Sequence, residues 1–465
     1  MSSSSSSSSS QPHIALFPTA GMGHLTPFLR VAAMLTSYDV TVTLITAQPT
    51  LSAAESNTIA SFFAIYPQIK RLDFHIIPFN SPTPDDPFFI HWEATNRSLH
   101  LLHPLISSLS PPLTAIFSDF ALATNIIPIA DRLQIPTFIL LTTSARFLSL
   151  MANYPFLTSP EISNNEAKNY IRIPGLTDIP KSSIPPPLLR PGKSLFTSTL
   201  ASNIVSFSKV KGILLNSFEY FESETITAFN IGEVQSSFPP ILPIGPIAPY
   251  GLVQGDHSLP WLNEQPAKSV VYISFGSRTA MSKDQIRALG DGLDRSGHRF
   301  LWILKGNKVD KEDKEGLEEL LSDSFLERTK NKGLVVKGWV SQEDILQNPA
   351  VGGFVSHCGW NSVMEAALHG VPMLAWPLHG DQRINAEVVE KSGLGLWERE
   401  WGWGGEKLIN EQEIGDKVKV LMEDDIFRGK ALNVGKEARK AVEKDGGSEK
   451  VLAQVINSLN LKGRE

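Results

Sequence analysis

The chain has 465 residues, 42% of them hydrophobic and 19% charged, with a formal net charge of −6. That length exceeds one ordinary hydrophobic core and suggests a globular protein of two domains, or three small ones. The slight acidity offers no pull toward nucleic acid or an anionic membrane. The single cysteine, Cys358, excludes an internal disulfide framework and fits a reducing compartment.

The first residues, MSSSSSSSSSQP, carry neither the basic nor the apolar segment of a secretory signal and read as a low-complexity tail over residues 1–11. No apolar run reaches the roughly 18 residues needed to span a bilayer. The expected location is the cytosol, so the sequon-like Asn96-Arg97-Ser98 carries little weight.

From residue 13 onward, short apolar runs alternate with helix-length segments. Strands are expected at 13–20 (HIALFPTA), 40–47, 72–79, 113–120, 136–143 and 212–218. They are apolar at nearly every position, which marks strands buried on both faces, as in a parallel sheet covered by helices. The first turn, FPTAGMGHLTPF at 17–28, has the glycine-bearing form of a phosphate loop but carries Gly23-His24 where the helix should begin. Taken alone, His24 is as readily a capping or structural histidine as a catalytic base.

Residues 154–192 are proline-rich and lack periodicity, and are expected to form a lid or wall of a cleft. A second proline- and glycine-rich stretch, 241–258, leads to renewed alternation with strands expected at 269–277, 299–305, 333–340, 351–357 and 371–377. Two doubly wound α/β domains facing a cleft follow: 12–245, a linker at 246–260, and 261–450, with 451–465 packing back on the first domain. The charged segment 308–323 reads as a solvated surface helix, and 411–459 as amphipathic helices.

The second domain carries the denser constellation. The run 339–382 is WVSQEDILQNPAVGGFVSHCGWNSVMEAALHGVPMLAWPLHGDQ. A strand runs through the turn Cys358-Gly359 into a helix starting near Trp360-Asn361-Ser362. Free amides there, beside His357, Asn361 and Ser362, suit a diphosphate. Trp339 could stack on a flat base, Glu365 lies one turn beyond Asn361 and suits a ribose diol, and Asp381 with Gln382 suits a polyhydroxyl ligand at the next strand end. Read singly, the tryptophans could equally be core and the polar residues caps.

This run resembles the plant secondary product glycosyltransferase box, with GHLTPF near the start and SFGS at 274–277 at matching separations. The chain is similar to plant UDP-sugar-dependent glycosyltransferases of the GT-B fold, two Rossmann-like α/β domains. The resemblance implies Trp339 on uracil with Val340 beside it, Gln342 and Glu365 near the ribose, and His357, Asn361, Ser362 and Ser277 at the diphosphate. It places Trp360, Asp381 and Gln382 at the sugar, the closing glutamine matching glucose users. His24 takes the place of the catalytic base, Asp119 that of its partner, Thr142 that of a residue close to the donor sugar, and Gly23 that of a donor-binding residue. An imidazole titrating near neutrality suits removal of a phenolic proton, and a carboxylate on its second nitrogen would fix the tautomer. The implied co-substrate is UDP-glucose, with no tightly bound cofactor. No metal-ligand spacing is present.

TAGMGHLTPFLR, the run 85–102, SFGSRTAMS and GLGLWEREWGWG look closest to plant C-glucosyltransferases acting on 2-hydroxyflavanones and dihydrochalcones. The expected partners are therefore UDP-glucose and a flavonoid or phenolic acceptor, with nothing that calls for more than a monomer. Phe88, Phe89 and Phe196 are candidate acceptor contacts. Asp86-Pro87-Phe88-Phe89 reads equally as a turn before an ordinary buried helix. A flavonoid O-glucosyltransferase is the alternative activity. A non-catalytic sugar-nucleotide binder fits less well, because His24 and Asp119 are both present.

Overall fold

In the computed structural model, the described residues are 11–81, 86–154, 169–189, 194–251, 259–276, 281–305, 316–338 and 340–461. Ser277, Trp339, the serine tail and parts of the 154–192, 252–258 and 308–315 stretches lie outside them.

The strands are β1 (His13–Phe17), β2 (Thr41–Gln48), β3 (Lys70–His75), β4 (Ala115–Asp119), β5 (Thr137–Leu141), β6 (Tyr170–Ile171), β7 (Ile179–Pro180), β8 (Gly212–Leu215) and β9 (Ile241–Pro243) in the first half. The second half holds β10 (Val270–Ser274), β11 (Arg299–Ile303), β12 (Gly333–Val336), β13 (Val351–Ser356), β14 (Met373–Ala375) and β15 (Gly395–Trp397). Two parallel sheets result, ordered β3-β2-β1-β4-β5-β8-β9 and β12-β11-β10-β13-β14-β15. Both are α/β and doubly wound, as expected. Along β1, Ala15 and Phe17 enter one apolar core while Ile14 and Leu16 enter the other, so every position is buried.

In each sheet the chain winds outward from one strand and then returns to lay down the other side. The switch falls between β1 and β4 in the first sheet and between β10 and β13 in the second. Loops diverge at the carboxyl ends of such strand pairs and leave a crevice.

Three stretches differ from the sequence reading. In the 154–192 region, the described part is not merely a lid. β6 and β7 pair antiparallel, and Ile171, Ile179, Ile184 and Leu188 are buried in the first sheet's core because apolar residues are interleaved with the prolines. The charged 308–323 segment ends in core, since Leu320 and Leu321 are buried beside Phe325. The proline-rich 241–258 stretch begins with an edge strand, β9. The terminal helix Gly447–Leu461 places Leu452, Val455, Ile456 and Leu459 in the core beneath β1 and β2, and Ser448 Oγ donates to the Gly245 carbonyl at 2.6 Å.

Candidate active site

At the first switch point, β1 leads through Gly21 into the helix Met22–Leu35. Gly21 has φ +99°, and a Cβ there would lie 2.5 Å from the Phe88 ring, so glycine is required both by backbone and by space. Its N–H donates to Glu55 Oε1 at 2.7 Å. The turn is thereby pinned with His24 facing the end of β4. His24 Nδ1 lies 2.7 Å from Asp119 Oδ2. A carboxylate can only accept, so Nδ1 carries the proton and Nε2 is the basic nitrogen. Asp119 is fully buried and its Oδ1 accepts from Ala121 N–H at 2.9 Å, which holds the carboxylate in one orientation. Thr142 Oγ1 stands 3.3 Å from the same Nδ1. It contacts the imidazole directly, in addition to facing the cleft at the end of β5.

Aromatic rings surround the imidazole. Their centroids lie 5.6 Å (Phe88), 5.0 Å (Trp92) and 5.7 Å (Phe120) from it. Phe89 extends the cluster to Phe196 at 5.4 Å. Phe88 is buried at the start of the helix Pro87–Ser98, whose cap is Asp86, so the ordinary helix-start reading and the contact with the site hold together.

At the second switch point, β13 turns through Cys358, at φ +65°, into the helix Trp360–His369, whose cap residue Gly359 offers no side-chain partner to the first amides. His357 sits between two glycines. A Cβ at Gly276 would lie 2.7 Å from its Nε2, and one at Gly359 2.5 Å. Burial pushes the imidazole down to about 4, nearby His379 adds to this, and the Ser274 backbone opposes it. At neutral pH His357 is therefore an uncharged donor or acceptor. Asn361 Oδ1 is buried without a protein partner. Gln342 Nε2 donates to Ser362 Oγ at 2.9 Å and Glu365 Oε2 at 2.7 Å, and Gln342 Oε1 accepts from Tyr272 at 3.2 Å. Val340 is partly buried against the same core. Five of the diphosphate and ribose candidates thus converge around one helix start, where the backbone dipole favours an anion.

The sugar candidates separate. The Trp360 indole is buried and donates Nε1–H to the Asn216 carbonyl at 2.7 Å, across the two halves. A sugar contact by that side chain is corrected to a packing role, because the first helical turn directs the ring into the core and leaves only its backbone at the helix start. Asp381 Oδ2 accepts from the hydroxyl of Thr143, on the opposite half, and from Asn385 Nδ2 at 3.0 Å. Gln382 is buried and its Oε1 accepts from Leu378 N–H at 2.8 Å and His379 N–H at 2.9 Å, so its carboxamide shapes its own loop.

The region 256–433 matches the family model for UDP-glucoronosyl and UDP-glucosyl transferases. The chain is 47% identical to UDP-glycosyltransferase 708G2 of Citrus unshiu, over 96% of each. The chain belongs to the UDP-glycosyltransferase family. Among solved structures it is similar to LpCGTa in complex with UDP (44% identity, 97% of this chain and 99% of that one, TM-score 0.85). It is also similar to Medicago truncatula UGT71G1 complexed with UDP-glucose (29% identity, 98% and 100%, TM-score 0.83).

Several residues of this glycosyltransferase's site escaped the sequence reading. Trp92 follows Phe88 by four positions and Phe89 by three, a spacing that puts all three on neighbouring helical faces and could have disclosed the cluster. Glu55, Arg30, Thr143 and Asn385 act through contacts between distant segments and left no local signal. Ser144 Oγ donates to Asn385 Oδ1 at 2.8 Å, and Asn361 Nδ2 to the Gly23 carbonyl at 3.3 Å, so the two halves meet through the site itself. Gly23 has open space where a Cβ would stand and serves through that carbonyl. Among the described residues no group of three His, Cys, Asp or Glu is placed to hold a metal, and no helix is long and apolar enough to cross a membrane.

Proposed function

We propose that this glycosyltransferase transfers glucose from UDP-glucose, with inversion, to a ring carbon of a flavonoid-type acceptor bearing a phloroglucinol-like ring, giving a β-C-glucoside. The carrying observation is the His24–Asp119 pair, its basic Nε2 walled by Phe88, Trp92 and Phe120. An acceptor hydroxyl gives its proton to Nε2, and Asp119 stabilises the imidazolium that forms. The phenolate spreads its charge to the ortho carbon. That carbon attacks the anomeric carbon as the bond to the diphosphate oxygen breaks and UDP leaves. The attacked carbon then loses its hydrogen, the phenol is restored, and one proton is released overall.

On the donor side, the helix start at Trp360–His369 with His357, Asn361 and Ser362 would receive the diphosphate, and Glu365 with Gln342 the ribose. Trp339 and Ser277 would complete the set at the uracil and the diphosphate. Asp381 and Gln382 would face the hexose. Thr142 would stand between base and sugar. The aromatic rings beside His24 would meet a planar acceptor through stacking and edge contacts. Carbon rather than oxygen as nucleophile is supported by the resemblance to C-glucosyltransferases. Whichever atom is held roughly 3–3.5 Å from the anomeric carbon reacts.

The test is incubation with UDP-glucose and a phloretin-like dihydrochalcone, then acid hydrolysis of the product. A glucoside that survives supports carbon transfer, whereas release of glucose establishes the O-glucosyltransferase alternative.

A further inference from the structure

The helix Met22–Leu35 carries His24 in its first turn and Arg30 six residues later, about 9 Å along the axis at 1.5 Å per residue. Arg30 is buried and forms an ion pair with Glu365, 335 positions away, on the helix Trp360–His369. Its guanidinium Nη2 donates to Glu365 Oε1, while Gln342 Nε2 donates to Oε2 at 2.7 Å. Both carboxylate oxygens are therefore held, each with a lone pair left for a further donor. The two helices touch a second time where Asn361 Nδ2 reaches the Gly23 carbonyl.

The geometry points to Arg30 as the positioning residue and counter-ion of Glu365, through which recognition of the donor's ribose diol and placement of the catalytic base are linked on one helix. This rests on the proposed donor site. A buried carboxylate without a paired cation would take up a proton or rotate away, and in either case would accept poorly from a cis-diol. His357 and Asn361 bring no positive charge to the neighbourhood, and among the described residues Arg30 is the cation paired with this carboxylate. Because Arg30 and His24 share a helix, a ribose seated on Glu365 also sets the distance between the donor and the basic nitrogen.

The experiment combines calorimetric titration of UDP with steady-state kinetics on Arg30→Met, Arg30→Lys, Glu365→Gln and the double variant Arg30→Met/Glu365→Gln. Arg30→Met is expected to raise the UDP Kd and the KM for UDP-glucose about tenfold or more while moving the acceptor KM less than about twofold. Arg30→Lys should recover most of the affinity. In the Glu365→Gln background, Arg30→Met should add less than about twofold, because the two residues act as a unit. A full additive loss in the double variant, or UDP affinity unchanged in Arg30→Met while Glu365→Gln is weakened, overturns the inference and leaves the donor site standing. Unchanged UDP affinity in Glu365→Gln overturns the donor-site assignment and this inference together.

Discussion

The two switch points share a topology and differ in everything placed on it. Between β1 and β4 the loops present a histidine braced by a buried carboxylate and enclosed by aromatic rings. Between β10 and β13 they present an uncapped helix start, an uncharged histidine wedged between glycines, and amides and hydroxyls. A strand-turn-helix unit thus supplies only a crevice, and the side chains decide whether that crevice moves a proton or holds an anion. His24 faces a fixed carboxylate through Nδ1, whereas burial lowers the His357 imidazole and keeps it neutral, so the same residue type stands in different surroundings in the two halves.

That contrast can be broken from either side. The largest expected effect is on turnover. His24→Ala should lower kcat by about 10²–10⁴, the range typical of losing a general base. Steady-state rates with a saturating acceptor check it, and turnover within about twofold of wild type would remove His24 from the chemistry. On the opposite side, Gly359→Ala puts a methyl group 2.5 Å from His357 Nε2. It should weaken UDP binding by at least about tenfold through displacement of that ring and of the helix start. Isothermal titration together with a melting curve separates this from global unfolding. A folded variant with unaltered affinity would show that His357 and its turn do not hold the nucleotide. The smallest effect belongs to the wall of the recess. Trp92→Phe, which keeps the buried ring packing, should raise the acceptor KM about twofold to several-fold with UDP affinity unchanged.

Much of the fold could be read from the chain because strands buried on both faces are apolar throughout. β1, β4, β5, β10 and β13 stand inside the expected runs. β9 and β15, three residues each, did not show, whereas the equally short β14 stood out inside the longer apolar run 371–377. The pairing of His24 with Asp119 is implied by the family resemblance, while the strand ends place both on the same edge of one sheet. What local spacing cannot carry is direction and distance. Trp360 and Asn361 are adjacent, yet one ring enters the core and the other side chain faces the cleft. Arg30 meets Glu365, and Thr143 meets Asp381, only because two separate sheets come together. The 154–192 stretch misled for the opposite reason, as its prolines hid isoleucines and leucines that anchor it in the core.

Calorimetric titration of UDP into His24→Ala tests the division of labour most directly. Affinity equal to that of the wild-type protein, in a variant that no longer forms product, is the result predicted here. Loss of UDP binding in step with turnover would contradict it, because the two switch points would then not be separate in function.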